Sequence, residues 1–197
     1  GAMGIKDIGK NKRMSVKKTM GIIVSAGIVA VLIFGLFLYA SIKTKSTGIR
    51  QYSPFKVWMG KIVTLDKETV LLSEKLRQYD DKKYPYLLLD SLHPDWPYLD
   101  ERIKLGDYTL VEKFPEGTKL HIEKAVQFTG GVSGYSTPFV FGTIRYRGKS
   151  YGTAYQWGTM DVEKYMDKVE ACWQFHPAPW QPQADTAYYE LPEAKWW

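Results

Sequence analysis

The feature that constrains this chain most is an uncharged apolar run at residues 20–42, MGIIVSAGIVAVLIFGLFLYASI. At about 1.5 Å per residue, a helix of this length rises about 34 Å, which is enough to cross a hydrocarbon layer of about 30 Å. So long an apolar helix is hard to bury inside the globular domain that the remaining residues can form. We therefore predict a single transmembrane helix over residues 20–42, with Tyr39 near the lipid headgroups.

Charged residues on either side of this run predict its orientation. Lys17 and Lys18 lie directly before it, whereas the basic residues after it are diluted by Ser, Thr and Gly. The positive-inside rule then places the N-terminus in the cytoplasm and residues 56–197 outside, in the periplasm of a Gram-negative cell. A cleaved signal peptide is the alternative, but the run is longer than usual and Leu38 is bulky where cleavage needs a small residue.

The chain divides into four predicted parts. Residues 1–19 are a tag remnant, Gly1-Ala2-Met3-Gly4, and a basic cytoplasmic tail for which Met14 is an alternative native start. After the transmembrane helix, residues 43–55 form a polar tether and residues 56–197 form one β-rich domain of ordinary size. Most of the formal net charge of +6 falls before the tether, so the outer domain is nearly neutral. Its charge therefore does not favour a nucleic-acid partner.

Short β-forming segments alternate with turn signals through the outer domain. Residues 56–65 and 69–72 predict a hairpin, whereas the prolines within residues 74–104 predict an irregular, aromatic segment. Further strands are expected at residues 108–111, 120–128, 139–146 and 150–157. Gly142 is expected to mark a bulge in the third of these.

The C-terminal part contains one helical pattern. Thr159 is a candidate helix cap, and apolar residues recur at helical spacing through residues 160–173. These apolar residues are Val162, Tyr165, Met166, Val169 and Trp173. The predicted fold is therefore mainly β with one C-terminal helix, built as a small barrel or sandwich outside the membrane.

Three motifs within residues 104–158 carry a resemblance to a known fold. They are Leu105-Gly106-Asp107-Tyr108, the turn Phe114-Pro115-Glu116-Gly117-Thr118, and the hairpin at residues 144–157 around Arg147-Gly148-Lys149. This stretch resembles the SH3-like small barrels that bacteria use outside the cytoplasm. The resemblance implies a barrel, but not binding of proline-rich peptides, because the acidic loop joined to an aromatic run is missing.

No motif in the sequence predicts catalysis. Ser133 lies in a Gly-Val-Ser-Gly-Tyr segment, but Tyr135 stands where a nucleophile elbow needs glycine. The three histidines lie in separate segments and lack the spacing of a metal-binding pair. They are His93, His121 and His176. Cys172 is the only cysteine and is typical of a small buried apolar residue. We therefore expect no catalytic residues, no metal and no cofactor.

Aromatic residues suggest a binding surface instead. They make up 15% of the chain, with 14 Tyr and 7 Trp, which is more than a core of this size requires. Tyr and Trp are enriched at protein interfaces. The candidate binding residues are Tyr84, Tyr86, Trp96 and Tyr98, in the proline-rich segment, and Tyr135, in the glycine loop at residues 130–136.

A short tail, one anchor and an aromatic-rich outer domain are together similar to membrane-anchored periplasmic immunity proteins. That resemblance implies a protein partner, a toxin or effector, which is neutralised by direct binding. Two alternatives stay open: a structural subunit of a secretion or division complex, and a cell-wall-binding domain or an enzyme. Small residues four apart in the apolar run, such as Gly21 and Ser25, also allow a homodimer.

Overall fold

The computed structural model describes residues 15–77, 79 and 81–194. The chain divides into two compact units, of which the first ends at Ile42 and the second begins at Lys43. The predicted tag remnant and most of the basic tail lie outside the described residues. Helix α1, Val16–Ile42, has 27 residues, none of them buried. By length and composition, α1 can cross a membrane.

The described residues of the second unit include ten strands. Eight of them form one sheet: β1 Lys45–Gly48, β2 Ile62–Thr64, β3 Thr69–Glu74, β4 Tyr86–Asp90, β5 Tyr108–Phe114, β6 Lys119–Thr129, β7 Ser136–Tyr146 and β8 Lys149–Gln156. The strand order is β1-β6-β7-β8-β4-β3-β5, with β2 also paired to β6. A separate two-stranded sheet joins β9, Thr159–Met160, to β10, Trp173–Gln174.

The mainly β fold and the N-terminal apolar helix confirm the broad prediction, but the finer fold class was wrong in two respects. The large sheet is open and ends at β1 and β5, so no barrel closes within the described part of the chain. The described residues also contain two short helices besides α1, namely α2, Leu99–Lys104, and α3, Val162–Met166. Two 3₁₀ turns, Phe55–Val57 and Trp96–Tyr98, complete the regular structure.

The core explains why the third and fourth strands are so apolar. Leu71 and Leu88 belong to one buried cluster, whereas Val70 and Leu89 belong to a second cluster. Both faces of β3 and β4 are therefore buried, which requires continuous apolar runs rather than alternation. Each fully buried aliphatic side chain contributes about 1.5–3 kcal/mol through the hydrophobic effect.

Pairing of the first strands differs from the predicted hairpin. Strand β2 pairs with β6, whereas β3 pairs with β4 and β5. The amides of Leu65 and Asp66, between β2 and β3, donate to the carbonyl oxygens of Thr118 and Pro179. These bonds lead the chain away from a tight turn. The segment predicted to be irregular contains β4, a central strand.

The closing hairpin was predicted correctly, but the bulge was misplaced. Strands β7 and β8 pair in antiparallel register through the turn at Arg147 and Gly148. On the other side of β7, Ile122 pairs with Gly142 and Lys124 pairs with Phe141, so the extra residue is Glu123 in β6.

Candidate binding groove

A groove of about 740 Å³ lies on the second unit. Its walls come from three segments: the glycine loop, the chain around α3, and residues 190–193 near the C-terminus. Met160 and Trp173, from the small sheet, also line it. The groove is therefore assembled from parts of the chain that the strand pattern alone does not bring together.

Large apolar side chains line this groove and remain accessible to solvent. Tyr135, Val162, Tyr165, Met166 and Val169 are each between 43% and 72% exposed. Scattered exposed apolar residues are normal on a protein surface, but several that line one concave site indicate a binding surface. We define these five residues as the apolar lining of the groove.

Local capping explains why α3 is short and presents these residues. The Asp161 carboxylate accepts a hydrogen bond from the Lys164 amide at 3.1 Å and thereby caps the first turn. At the other end, Lys168 has a positive φ of 59°. The amides of Lys168 and Val169 donate to the carbonyl oxygens of Tyr165 and Lys164 at 3.0 and 2.9 Å. This is the Schellman pattern, which ends a helix.

The predicted helix over residues 160–173 is therefore mostly wrong. Its first and last residues belong instead to paired strands, since Met160 pairs with Trp173. Trp173 also exchanges two backbone hydrogen bonds with Tyr189, at 3.0 and 2.9 Å, and its side chain is buried. Pairing at both ends pulls the segment into a loop around α3, so its apolar residues face the groove instead of the core.

Four charged residues line the groove together with the apolar lining. Lys168, Glu170, Glu190 and Glu193 line the same groove and are exposed. The Tyr165 hydroxyl donates a hydrogen bond to a Glu193 carboxylate oxygen at 3.0 Å. This hydrogen bond raises the pKa of Tyr165. None of these four charged groups lies within ion-pair distance of an opposite charge in the described part of the chain.

Of the five predicted binding residues, the structure places Tyr135 in the groove. Tyr98 is 58% exposed, lies in a 3₁₀ turn and is not one of the residues that line the groove. Trp96 and Tyr86 are partly buried and pack against the two core clusters. Tyr84 is 3% exposed, so its ring is part of the core.

The position of Tyr84 follows from the bulge in β6. The Tyr84 hydroxyl donates to the Glu123 carboxylate at 2.5 Å, and the Thr143 hydroxyl donates to the same carboxylate at 2.6 Å. Lys83 forms an ion pair with Glu123. Partial burial opposes ionisation, but these three donors lower the pKa of Glu123 to about 2. Tyr84 therefore helps to hold the chain before β4 against the sheet.

A second polar cluster lies inside the fold, around Tyr155. His93 contacts Gln156 through its Nε2, 3.0 Å from that carbonyl oxygen, and His176 contacts the Tyr155 hydroxyl at 3.0 Å. The two imidazole rings are 5.0 Å apart. Burial lowers the pKa of both, and the neighbouring His93 helps to bring the pKa of His176 to about 3. Both histidines therefore stay neutral, and they join the C-terminal segment to the sheet.

A smaller polar cleft of about 350 Å³ lies beside β3 and β5. It contains Glu74, whose pKa is raised to about 7, chiefly by burial. Asp95, Asp107 and Arg102 line the same cleft, and Arg102 pairs with Asp107 at 3.4 Å. Arg102, in α2, therefore offsets part of the negative charge that these carboxyl groups bring to the cleft.

The residues missed by sequence reasoning are those of α3. Their helical spacing was visible in the sequence, but none of them was predicted to be a binding residue. Comparison with known protein families, with curated proteins and with solved structures gave no match.

Proposed function

We propose that this chain is a membrane-anchored protein-binding module that receives an apolar segment of a partner protein in the groove. One observation carries the proposal: the five residues of the apolar lining are accessible in a single concave site. Full burial of an exposed apolar side chain contributes about 1.5–3 kcal/mol, and a partner gains the share that corresponds to the surface still exposed in the groove. A partner that covers several of them therefore gains affinity from hydrophobic burial alone.

Helix α1 supports the membrane part of the proposal, because its length and composition suit a single span. With the N-terminus in the cytoplasm, the groove-bearing unit lies on the outer side of the inner membrane. In that location the partner is a toxin or effector that reaches the periplasm, and the chain acts as an immunity protein without catalysis. A structural subunit would use the same groove to hold a resident envelope protein.

Two groove variants of the full chain test the proposal. Met166→Asp and Val162→Asp each place a charge in the apolar lining. Leu105→Asp is the matched control, because Leu105 is 67% exposed, close to the 72% of Met166, and lies outside the groove. The bait is the full chain in detergent, and the candidates are the products of neighbouring genes, tested one at a time.

A partner that binds the wild type and Leu105→Asp, but not the two groove variants, supports the proposal. A partner that binds all four proteins equally overturns the groove as its binding site. The identity of a groove-dependent partner then separates the two roles. If that partner is a toxin, cells that express the wild-type chain survive it and cells that express Met166→Asp do not.

A further inference from the structure

We infer that the groove selects a partner segment in which apolar residues are flanked by Lys or Arg. This inference rests on the proposed function and adds the chemistry of the partner. The groove is lined by three carboxylates, those of Glu170, Glu190 and Glu193, and by one ammonium group, that of Lys168. Its charged rim is therefore acidic, and charge complementarity favours a basic partner.

These carboxylates are available to a partner. All three side chains are exposed, and within the part of the chain that the structure describes none of them forms an ion pair. Glu193 accepts the Tyr165 hydroxyl through one oxygen, Oε1. Tyr165 belongs to the apolar lining, so this bond places a carboxylate directly beside it. A Lys or Arg next to an apolar partner side chain can reach that carboxylate.

The acidity of the rim is a local feature. Residues 43–197 contain 21 Lys and Arg against 20 Asp and Glu, so this part of the chain is close to neutral. A generally acidic surface would attract any basic molecule, whereas here the excess of carboxylates borders the apolar lining. Recognition therefore needs apolar and basic groups in the same segment.

Two methionines adapt the groove to its occupant. Met160 and Met166 line it together with aromatic and β-branched residues. Methionine is unbranched and flexible, so it fits apolar side chains of several shapes. The apolar lining therefore accepts side chains of many shapes, and the charged residues of the groove distinguish one partner from another.

The test uses the full chain in nanodiscs of uncharged lipid, with empty nanodiscs as the blank. The probes are two fluorescein-labelled peptides that share a Leu-Trp-Leu-Leu centre. One peptide has two Lys at each end of the centre, and its twin has two Glu at each end. The proteins are the wild type, the double variant Glu170→Gln and Glu190→Gln, and Met166→Asp. Fluorescence anisotropy gives the dissociation constants.

The wild type is expected to bind the Lys peptide about threefold to tenfold more tightly than the Glu peptide, since exposed ion pairs contribute modestly. The double variant should lose most of this preference, and Met166→Asp should bind both peptides weakly. Raising the salt to about 0.5 M should reduce the preference, because the rim charges are exposed.

Equal binding of the two peptides, or tighter binding of the Glu peptide, overturns the inference on partner charge. The proposed function survives that result if Met166→Asp still weakens both. Binding of neither peptide also overturns the inference, and the capture experiment with native partners then judges the proposed function on its own. A preference that persists unchanged in the double variant shows that other charges cause it, which likewise overturns the inference.

Discussion

Gly152 in β8 lies directly beneath the backbone of Lys83. A Cβ atom on Gly152 would be only 1.8 Å from the Lys83 carbonyl oxygen. The chain before β4 therefore passes over the sheet at Gly152, where the lack of a side chain lets the two backbones approach closely. Tyr84, the next residue, then reaches the Glu123 carboxylate, so the crossing is fixed by close backbone approach and by hydrogen bonds.

Gly152→Ala should therefore destabilise the fold by about 2–4 kcal/mol, because backbone atoms rather than a flexible side chain must move. Gly48→Ala is the matched control: Gly48 also lies in a strand, and nothing lies within 4 Å of a Cβ built there. That control should change stability by less than about 1 kcal/mol. Urea unfolding followed by tryptophan fluorescence measures both. If Gly152→Ala and Gly48→Ala lower the free energy of unfolding by similar amounts, the backbone of Lys83 does not approach Gly152 closely.

The β7–β8 turn offers a stabilising change. Arg147 has a φ of 49° and Gly148 has a φ of 75°, as in a two-residue type I′ turn. Arginine is strained in this conformation, whereas Asn-Gly is the preferred pair. Arg147→Asn should raise the free energy of unfolding by about 0.5–1 kcal/mol. Arg145→Asn, in the neighbouring strand, should have no such benefit, because Asn is a poor strand former. Equal effects of the two would contradict the turn assignment.

Glu123 predicts one pH dependence of stability. Its pKa in the folded protein is about 2, below the ordinary glutamate value of 4.5. A lowered pKa of this kind contributes stability that is complete above about pH 4.5 and is lost as the pH falls towards 2. Glu123→Gln should be less stable at neutral pH and should lose less stability across that range. Glu116→Gln, in an exposed turn, should follow the wild-type curve. Unfolding measured at several pH values distinguishes them.

The two buried histidines predict a second dependence at higher pH. Both imidazoles are neutral in the fold, and the pKa of His176 is about 3. Unfolding lets them take up protons below about pH 6.5, so stability is complete above that value and falls as the pH decreases. His176→Gln should flatten the decline between about pH 6.5 and 4.5. His121→Gln serves as the control, because His121 is half-exposed. If the stability of His176→Gln falls with pH in parallel with that of the wild type, the buried histidines do not cause this pH dependence.

Local chemistry explains which parts of the fold could be predicted from the sequence. The closing hairpin was predictable because Arg147-Gly148 is a tight turn between β-forming segments. Strand β4 was missed because it is short and lies between Pro85 and Pro94, and because its partners are distant in the chain. Burial of Tyr84 was not predictable, since its hydroxyl is satisfied by Glu123, a bulged residue in another strand.

The candidate groove could not be predicted from the hydrophobic periodicity of the sequence. The spacing of Val162, Tyr165 and Met166 indicated a helical segment, which the structure confirms over the five residues of α3, but the spacing contains no information on what covers its apolar side chains. Whether the rest of the fold covers these side chains depends on the pairing of Trp173 with Met160 and Tyr189. This pairing turns residues 161–172 outwards. Tyr135 joins the same surface through the glycine loop.

The parallel pairing of β4 with β8 has a consequence for synthesis of the chain. Tyr86 and Leu87 in β4 pair with Thr153 and Ala154 in β8, which the ribosome makes much later. Until β8 emerges, one edge of β4 is open and its apolar residues lack their final neighbours. During synthesis, the chain therefore passes through a stage in which β4 has an unpaired edge that is prone to aggregation. A chaperone that binds unfolded chains would protect the protein most at that stage.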